Sequence, residues 1–148
     1  MYDSILVVCV GNICRSPVGE RLLRKAFPDK KVDSAGLAAV VGHAADETAA
    51  KVAAEHGIDV EGHVAQQLTG ELGRQYDLIL VMEPAHRQAV MNSFPQLSGR
   101  VMLFDQWTGR GGVKDPFRKP IDFHQEVIRQ LVAASEAWAE KLGNRKRL

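Results

Sequence analysis

Ile5-Leu6-Val7-Val8-Cys9-Val10-Gly11-Asn12-Ile13-Cys14-Arg15-Ser16-Pro17 decides the fold of this chain. The run from Ile5 to Val8 is short, apolar and largely β-branched. It predicts a strand over residues 4–10 that is buried on both faces. Ser16 is a good N-cap and Pro17 suits the first helical position, so a helix should start directly after a loop at residues 11–15. In that helix Val18, Leu22, Leu23 and Ala26 keep one apolar face, which leaves Glu20, Arg21, Arg24 and Lys25 outside. The layout is strand, tight loop, helix. A thiol opens the loop and a guanidinium follows six residues later, a design suited to a thiolate that attacks a bound phosphate.

Outward from this stretch, strands and helices alternate. Residues 31–35 read as a short strand ending at Gly36, and residues 37–45 have no period and read as a loop. A helix starts at Ala45 or Asp46, runs through Val52 and Ala53 to His56, and is closed by Gly57. Residues 58–67 fit no single pattern, and residues 69–74 make a helical turn. Residues 77–82 form the second strongly buried strand. Pro84 opens a helix to Ser93, Phe94-Pro95 breaks it, and residues 100–104 form a fourth strand. Residues 105–120, with Gly109, Gly111, Gly112, Pro116 and Pro120, form a loop long enough to be functional. Phe123, Val127, Leu131, Ala134 and Trp138 then share one face of a last helix ending near Gly143. This is an α/β pattern: a parallel sheet flanked by helices on both faces, with ligands expected at the carboxyl ends of the strands.

Composition narrows the function. A chain of 148 residues predicts one domain, residues 1–148, and its net charge of +1 argues against general nucleic-acid binding. The basic cluster Arg145-Lys146-Arg147 reads as a solvated end. No apolar run nears the ~20 residues that cross a bilayer, and no signal peptide is evident, so no membrane insertion is expected. Two cysteines do not make a disulfide framework, which points to the cytoplasm. The five histidines lack metal-ligand spacing, so neither a metal nor another cofactor is expected.

The chemistry lies in the loop. A loop that leaves a strand and opens a helix presents backbone N–H groups to an anion. Gly11 permits close approach, and Asn12 tolerates the left-handed conformation that turns successive N–H groups inward. Arg15 can hold two phosphate oxygens in a fork. The same surroundings favour a thiolate, so Cys9 is expected to act in that form. It would attack phosphorus in line and form a phosphocysteine, with Ser16 donating a hydrogen bond to its sulfur. Asp115, just before Pro116 in the long loop, is the natural proton donor to the leaving oxygen and later the base for water. Asp105 at a strand end, and Glu83 and Asp46 at helix starts, are weaker candidates.

Cys9-Val10-Gly11-Asn12-Ile13-Cys14-Arg15-Ser16-Pro17, Ser34-Ala35-Gly36, residues 76–82 and Asp115-Pro116-Phe117 together resemble the low-molecular-weight protein tyrosine phosphatases. The resemblance spans nearly the whole chain and is to the bacterial type encoded with exopolysaccharide or capsule genes. It implies a four-stranded parallel sheet, phosphotyrosine as substrate and no metal. It makes Cys9 the nucleophile, Arg15 the phosphate clamp and Asp115 the acid, with Val10, Gly11, Asn12, Ile13 and Cys14 around the phosphate. Asn12, Ser16, Ser34 and His63 would support the loop through hydrogen bonds. The implied partner is a membrane tyrosine autokinase with a tyrosine-rich tail. Phe117 stands where the family usually has Tyr, so it can wall the pocket but cannot be phosphorylated. Leu37 stands on the loop where animal members carry Trp, as a second wall. Ala65-Gln66-Gln67 replaces the usual Ala-Arg-Gln.

Plainer roles stand beside these. Cys14 is either a packed thiol or a partner that bridges Cys9 on oxidation. Trp138 at helical spacing is core, while Trp107 is either a rim contact or packing. An arsenate reductase of the same fold would need relay cysteines beyond Cys14, and none follows. A phosphate-binding module would explain the loop but not the pairing of Cys9 with Asp115. A P-loop nucleotidase is excluded because no Gly-Lys-Ser/Thr follows the loop.

Overall fold

Alternation along the first strand sorts the core. In β1 (Ser4–Cys9) Ile5 and Val7 face one way and join a buried cluster with Val18, Leu23, Phe104, Leu131 and Trp138. Leu6 and Val8 face the other way and join Leu68, Tyr76, Val90 and Leu97. The strand therefore has no wet face, as its unbroken apolar run predicts. Each fully buried Leu, Ile or Val side chain contributes about 1.5–3 kcal/mol. The structure, a computed structural model, describes residues 2–143. The cluster Arg145-Lys146-Arg147 lies outside the described residues.

The elements follow as α1 (Arg15–Ala26), β2 (Lys31–Gly36), α2 (Glu47–Glu55), α3 (Gly70–Gly73), β3 (Leu78–Val81), α4 (Pro84–Ser93), a 3-10 turn (Pro95–Arg100), β4 (Val101–Leu103) and α5 (Ile121–Gly143). The four strands form one parallel sheet in the order β2-β1-β3-β4. Helices α1, α2 and α5 bury residues in the first cluster, and α4 buries Val90 in the second, so both faces are covered. The strand order turns between β1 and β3, which opens a crevice at their carboxyl ends. Cys9 ends β1 and Glu83 follows β3, so both stand at that crevice.

Several local expectations change. β1 stops at Cys9, because Val10 turns outward and is exposed. Helix α1 begins at Arg15 with Cys14 at the cap position, and no side chain caps it. Ser16 is thus not the N-cap; it lies in the buried first turn, and its hydroxyl is engaged elsewhere. Glu20, assigned by spacing to the outer face, is buried. Residues 58–67 contribute one bridge, Gln67 beside Gly36, which extends the edge of β2. Asp46 caps α2 by accepting the Ala49 N–H, and Gly57 takes the left-handed φ of 75° that ends it.

Gly36 is where sheet and loop meet. It pairs with Cys9 in the parallel register. A Cβ there would run into the Val10 carbonyl oxygen, a backbone atom that cannot swing away. Gly36→Ala should therefore cost about 1–3 kcal/mol and lower the thermal midpoint by several degrees, read by thermal unfolding, with the loop at residues 10–12 displaced.

Candidate active site

The loop after β1 is built by sending its carbonyls outward. The Cys9, Val10, Gly11 and Ile13 oxygens accept from the N–H groups of Leu37, Ala38, Val40 and Asp46, at 2.8–3.0 Å. The Asn12 oxygen accepts from His63 Nε2 at 2.6 Å. Five successive carbonyls are thus tied to residues 37–63. The peptide N–H groups of the loop then face the other way, and those of Gly11, Asn12, Ile13 and Cys14 find no acceptor among the described residues. A row of converging N–H groups ahead of an uncapped helix is an anion-binding nest.

Asn12 carries the turn. Its φ is 59°, the left-handed region, and it is fully buried. Its Oδ1 accepts the Gln66 N–H at 2.9 Å, so its Nδ2 must be the donor to Ser16 Oγ at 2.7 Å and to Ser34 Oγ at 3.0 Å. Both hydroxyls therefore accept, and each has one proton to give. Ser34 gives its proton to Glu20 Oε1 at 3.0 Å. Ser16 Oγ lies 2.9 Å from Cys9 Sγ, so its proton goes to the sulfur. Arg21 Nε at 3.1 Å and Arg24 Nη2 at 3.5 Å balance the buried Glu20 charge. Gln66 Nε2 also binds the Ser34 carbonyl.

Arg15 is almost entirely buried in the first turn of α1. Its Nη1 donates to Glu83 Oε2 at 2.6 Å and to the Val113 carbonyl at 2.7 Å, while its Nη2 is 3.9 Å from Asp115 Oδ2. Its Nε has no partner among the described residues and is closed off from solvent. The guanidinium is thus fixed on one edge, with a donor left over. Asp115 Oδ1 accepts the Phe117 N–H, which holds the carboxyl group at the mouth.

These residues line one cavity of about 210 Å³: Cys9, Val10, Gly11, Ile13, Cys14, Arg15, Ala38, Val40, Asp115 and Phe117. The structure brings Cys9, Arg15 and Asp115 together from residues far apart in sequence. Ser16, Ser34, His63 and Asn12 stand behind the loop. Leu37 is a correction: it does not line the cavity but packs against Ala35, Leu68 and the rest of the second cluster. Its N–H is held by the Cys9 carbonyl, and the wall falls instead to Ala38 and Val40, farther along the segment. Trp107 packs edge-on against Trp138 at 5.5 Å, away from the cavity lining. Spacing missed Glu20, Gln66, Glu83 and the Val113 carbonyl. Glu83 left a trace as a weaker candidate acid at a helix start, and Gln66 as a departure from the family's usual Ala-Arg-Gln.

Both cysteines are free. Burial, with Asp46 beside it, raises the Cys14 thiol well above its ordinary value. Cys14 should therefore stay unreacted while Cys9 is alkylated by iodoacetamide at neutral pH, and both should react in urea; peptide mass spectrometry checks this. His86 sits 3.3 Å from Glu83, and burial and Arg15 push its imidazolium below the ordinary 6.5. The unfolded chain then binds that proton more readily than the folded one. The contribution is complete above 6.5 and is lost as the pH falls below it. His86→Gln should flatten the fall in stability on that acid side, measured by urea unfolding across the range.

Comparison with known proteins agrees with this geometry. The low molecular weight phosphotyrosine protein phosphatase family matches residues 4–148. The low molecular weight protein-tyrosine-phosphatase Etp of Escherichia coli K12 is 52% identical over 141 residues, covering 95% of each chain. The tyrosine phosphatase Wzb of Escherichia coli K30, solved with sulphate, superposes with a TM-score of 0.94 at 48% identity, over 96% of this chain and 99% of that one. Wzb of Vibrio vulnificus, solved with benzylphosphonate, gives 0.93 at 47%, over 95% and 99%. The converging N–H groups beside a cysteine and the shared sequence along almost the full chain have one explanation: this protein belongs to the low molecular weight phosphotyrosine protein phosphatases.

Proposed function

We propose that Cys9 is the nucleophile, Arg15 the phosphate clamp and Asp115 the acid and base of this protein-tyrosine-phosphatase. The observation that carries the assignment is the outward bonding of the loop carbonyls, which leaves the N–H groups to converge beside Cys9. The Cys9 thiolate attacks phosphorus in line, an S–P bond forms, and the P–O bond to the tyrosine ring breaks. Asp115 gives its proton to the leaving phenolic oxygen. The resulting carboxylate then takes a proton from water, whose oxygen attacks phosphorus. The S–P bond breaks, inorganic phosphate leaves, and the thiolate returns with the Ser16 hydroxyl, its oxygen 2.9 Å from the sulfur, to ease its departure. The loop N–H groups and the Arg15 guanidinium meet the equatorial oxygens as charge shifts between them. Asn12, Ser34 and His63 act through the loop by fixing its backbone. Val40 and Phe117 flank the substrate ring, and benzylphosphonate in the Vibrio Wzb structure is a ligand of that shape.

The physiological substrate in this reading is a phosphotyrosine on a bacterial membrane autokinase that controls exopolysaccharide production. The enzyme meets it in the cytoplasm as a single domain, residues 1–148. Half-identity to Etp and close structural likeness to Wzb support this. Among the described residues no helix is long and apolar enough to cross a membrane.

Hydrolysis of a phosphotyrosyl peptide in EDTA and reductant tests the mechanism, with phosphoserine and phosphoarginine peptides for comparison. Wild-type turnover should survive EDTA. Cys9→Ser should abolish turnover but keep vanadate binding, and Asp115→Asn should lower kcat by about 10²–10⁴-fold. Unchanged activity in Cys9→Ser would refute the assignment. A folded wild type that binds vanadate without turnover would leave a binding module.

A further inference from the structure

The cavity mouth has two unlike sides. On one side stand Val10 and Val40, which line the cavity and are exposed to 37% and 38%; Val41, next in the chain, is exposed to 64%. The acid nearest that segment in sequence, Asp46, is committed to the Ala49 N–H. On the other side runs the segment carrying Lys114, Asp115, Phe117 and Arg118. Lys114 and Arg118 are exposed, and neither has a carboxylate within ion-pair distance among the described residues. The one acid on this lip faces the cavity, with Asp115 Oδ2 at 3.9 Å from Arg15 and Oδ1 on the Phe117 N–H.

Arg118 is also placed. Its guanidinium carbon lies 5.2 Å from the centroid of the Phe117 ring, and Phe117 lines the cavity. Arg118 adopts a φ of 61°, which a non-glycine residue rarely takes. Stacking on an aromatic face occupies the plane of a guanidinium and leaves its N–H edges for an anion.

Building on the phosphatase reading above, we propose that the 114–118 lip is an anion-recognition surface. It selects phosphotyrosines with a second negative group close by in the chain, a carboxylate or a further phosphate, while the valine side takes apolar residues. The substrate ring lies between Val40 and Phe117, so a residue leaving over Phe117 passes Arg118 first.

Peptides carrying a non-hydrolysable phosphonate in place of phosphotyrosine test this by affinity. They are flanked by alanine, by glutamate or by a second such phosphonate, and binding to the wild type is measured by calorimetry at low and high salt. Either anionic flank should tighten binding about threefold or more over alanine at low salt. The gain should shrink at high salt and vanish in the double variant Lys114→Ala/Arg118→Ala, whose fold is checked by circular dichroism. A gain with glutamate assigns the lip to carboxylates, and a gain with the second phosphonate alone assigns it to clustered phosphorylation. Equal affinities for all three peptides, or a preference that the double variant keeps, overturns the proposal. Hydrolysis of a small aryl phosphate by the wild type is measured alongside. Its absence would sink the phosphatase reading, while the flanking preference would still be decided by affinity.

Discussion

Asn12 is held in a left-handed conformation, and the site depends on that one backbone reversal. The conformation costs a non-glycine residue roughly 1–2 kcal/mol. Hydrogen bonds from His63 and Gln66, and to Ser16 and Ser34, offset it in a place closed to water. Because Nδ2 can only donate, the proton order of the whole cluster follows from it, down to the proton offered to Cys9 sulfur. The chain of bonds ends at Glu20, whose burial is tolerable because two arginines on α1 neutralise it. The surroundings of Cys9 are thus anchored in an ion pair on the far side of the loop.

Arg15 shows the opposite economy. A guanidinium this deeply buried needs partners, and Glu83 and the Val113 carbonyl satisfy one edge of it. Its Nε has no partner among the described residues, which in a buried donor costs stability. Glu83 keeps the guanidinium from turning away, and Val113 ties its position to the loop that carries Asp115.

The sequence made the sheet legible because burial on both faces erases alternation, and β1 and β3 are unbroken apolar runs. The catalytic loop was legible because Cys9, Gly11, Asn12 and Arg15 each suit one local demand of anion binding. What spacing could not see were contacts made across the fold. Ser16 looks like a cap until Asn12 and Cys9 claim its hydroxyl. Glu20 looks exposed on a helical wheel, because a wheel does not show that Ser34 on β2 arrives above it. Leu37 stands at the expected position on its loop, yet the loop's bonds to Cys9 and Val10 turn that position inward and bring Val40 to the cavity. Residues 58–67 had no period because they serve as a brace, through His63 and Gln66, rather than as an element with a face.

The groups that shape the site enter the chain far apart: Cys9 to Arg15, then Ser34, His63 and Gln66, then Glu83, and finally Val113 and Asp115. On a ribosome, Cys9, the proposed nucleophile, is made first and Asp115, its proposed acid, almost last. Until residues 63–66 have emerged, the Asn12 carbonyl and side chain lack two of their partners, and until residue 113 has emerged Arg15 lacks its carbonyl. A nascent chain therefore carries the Cys9 thiol with no finished phosphate site around it. In the proposed mechanism turnover needs groups from both ends of this span, so activity would report that the whole sheet has closed.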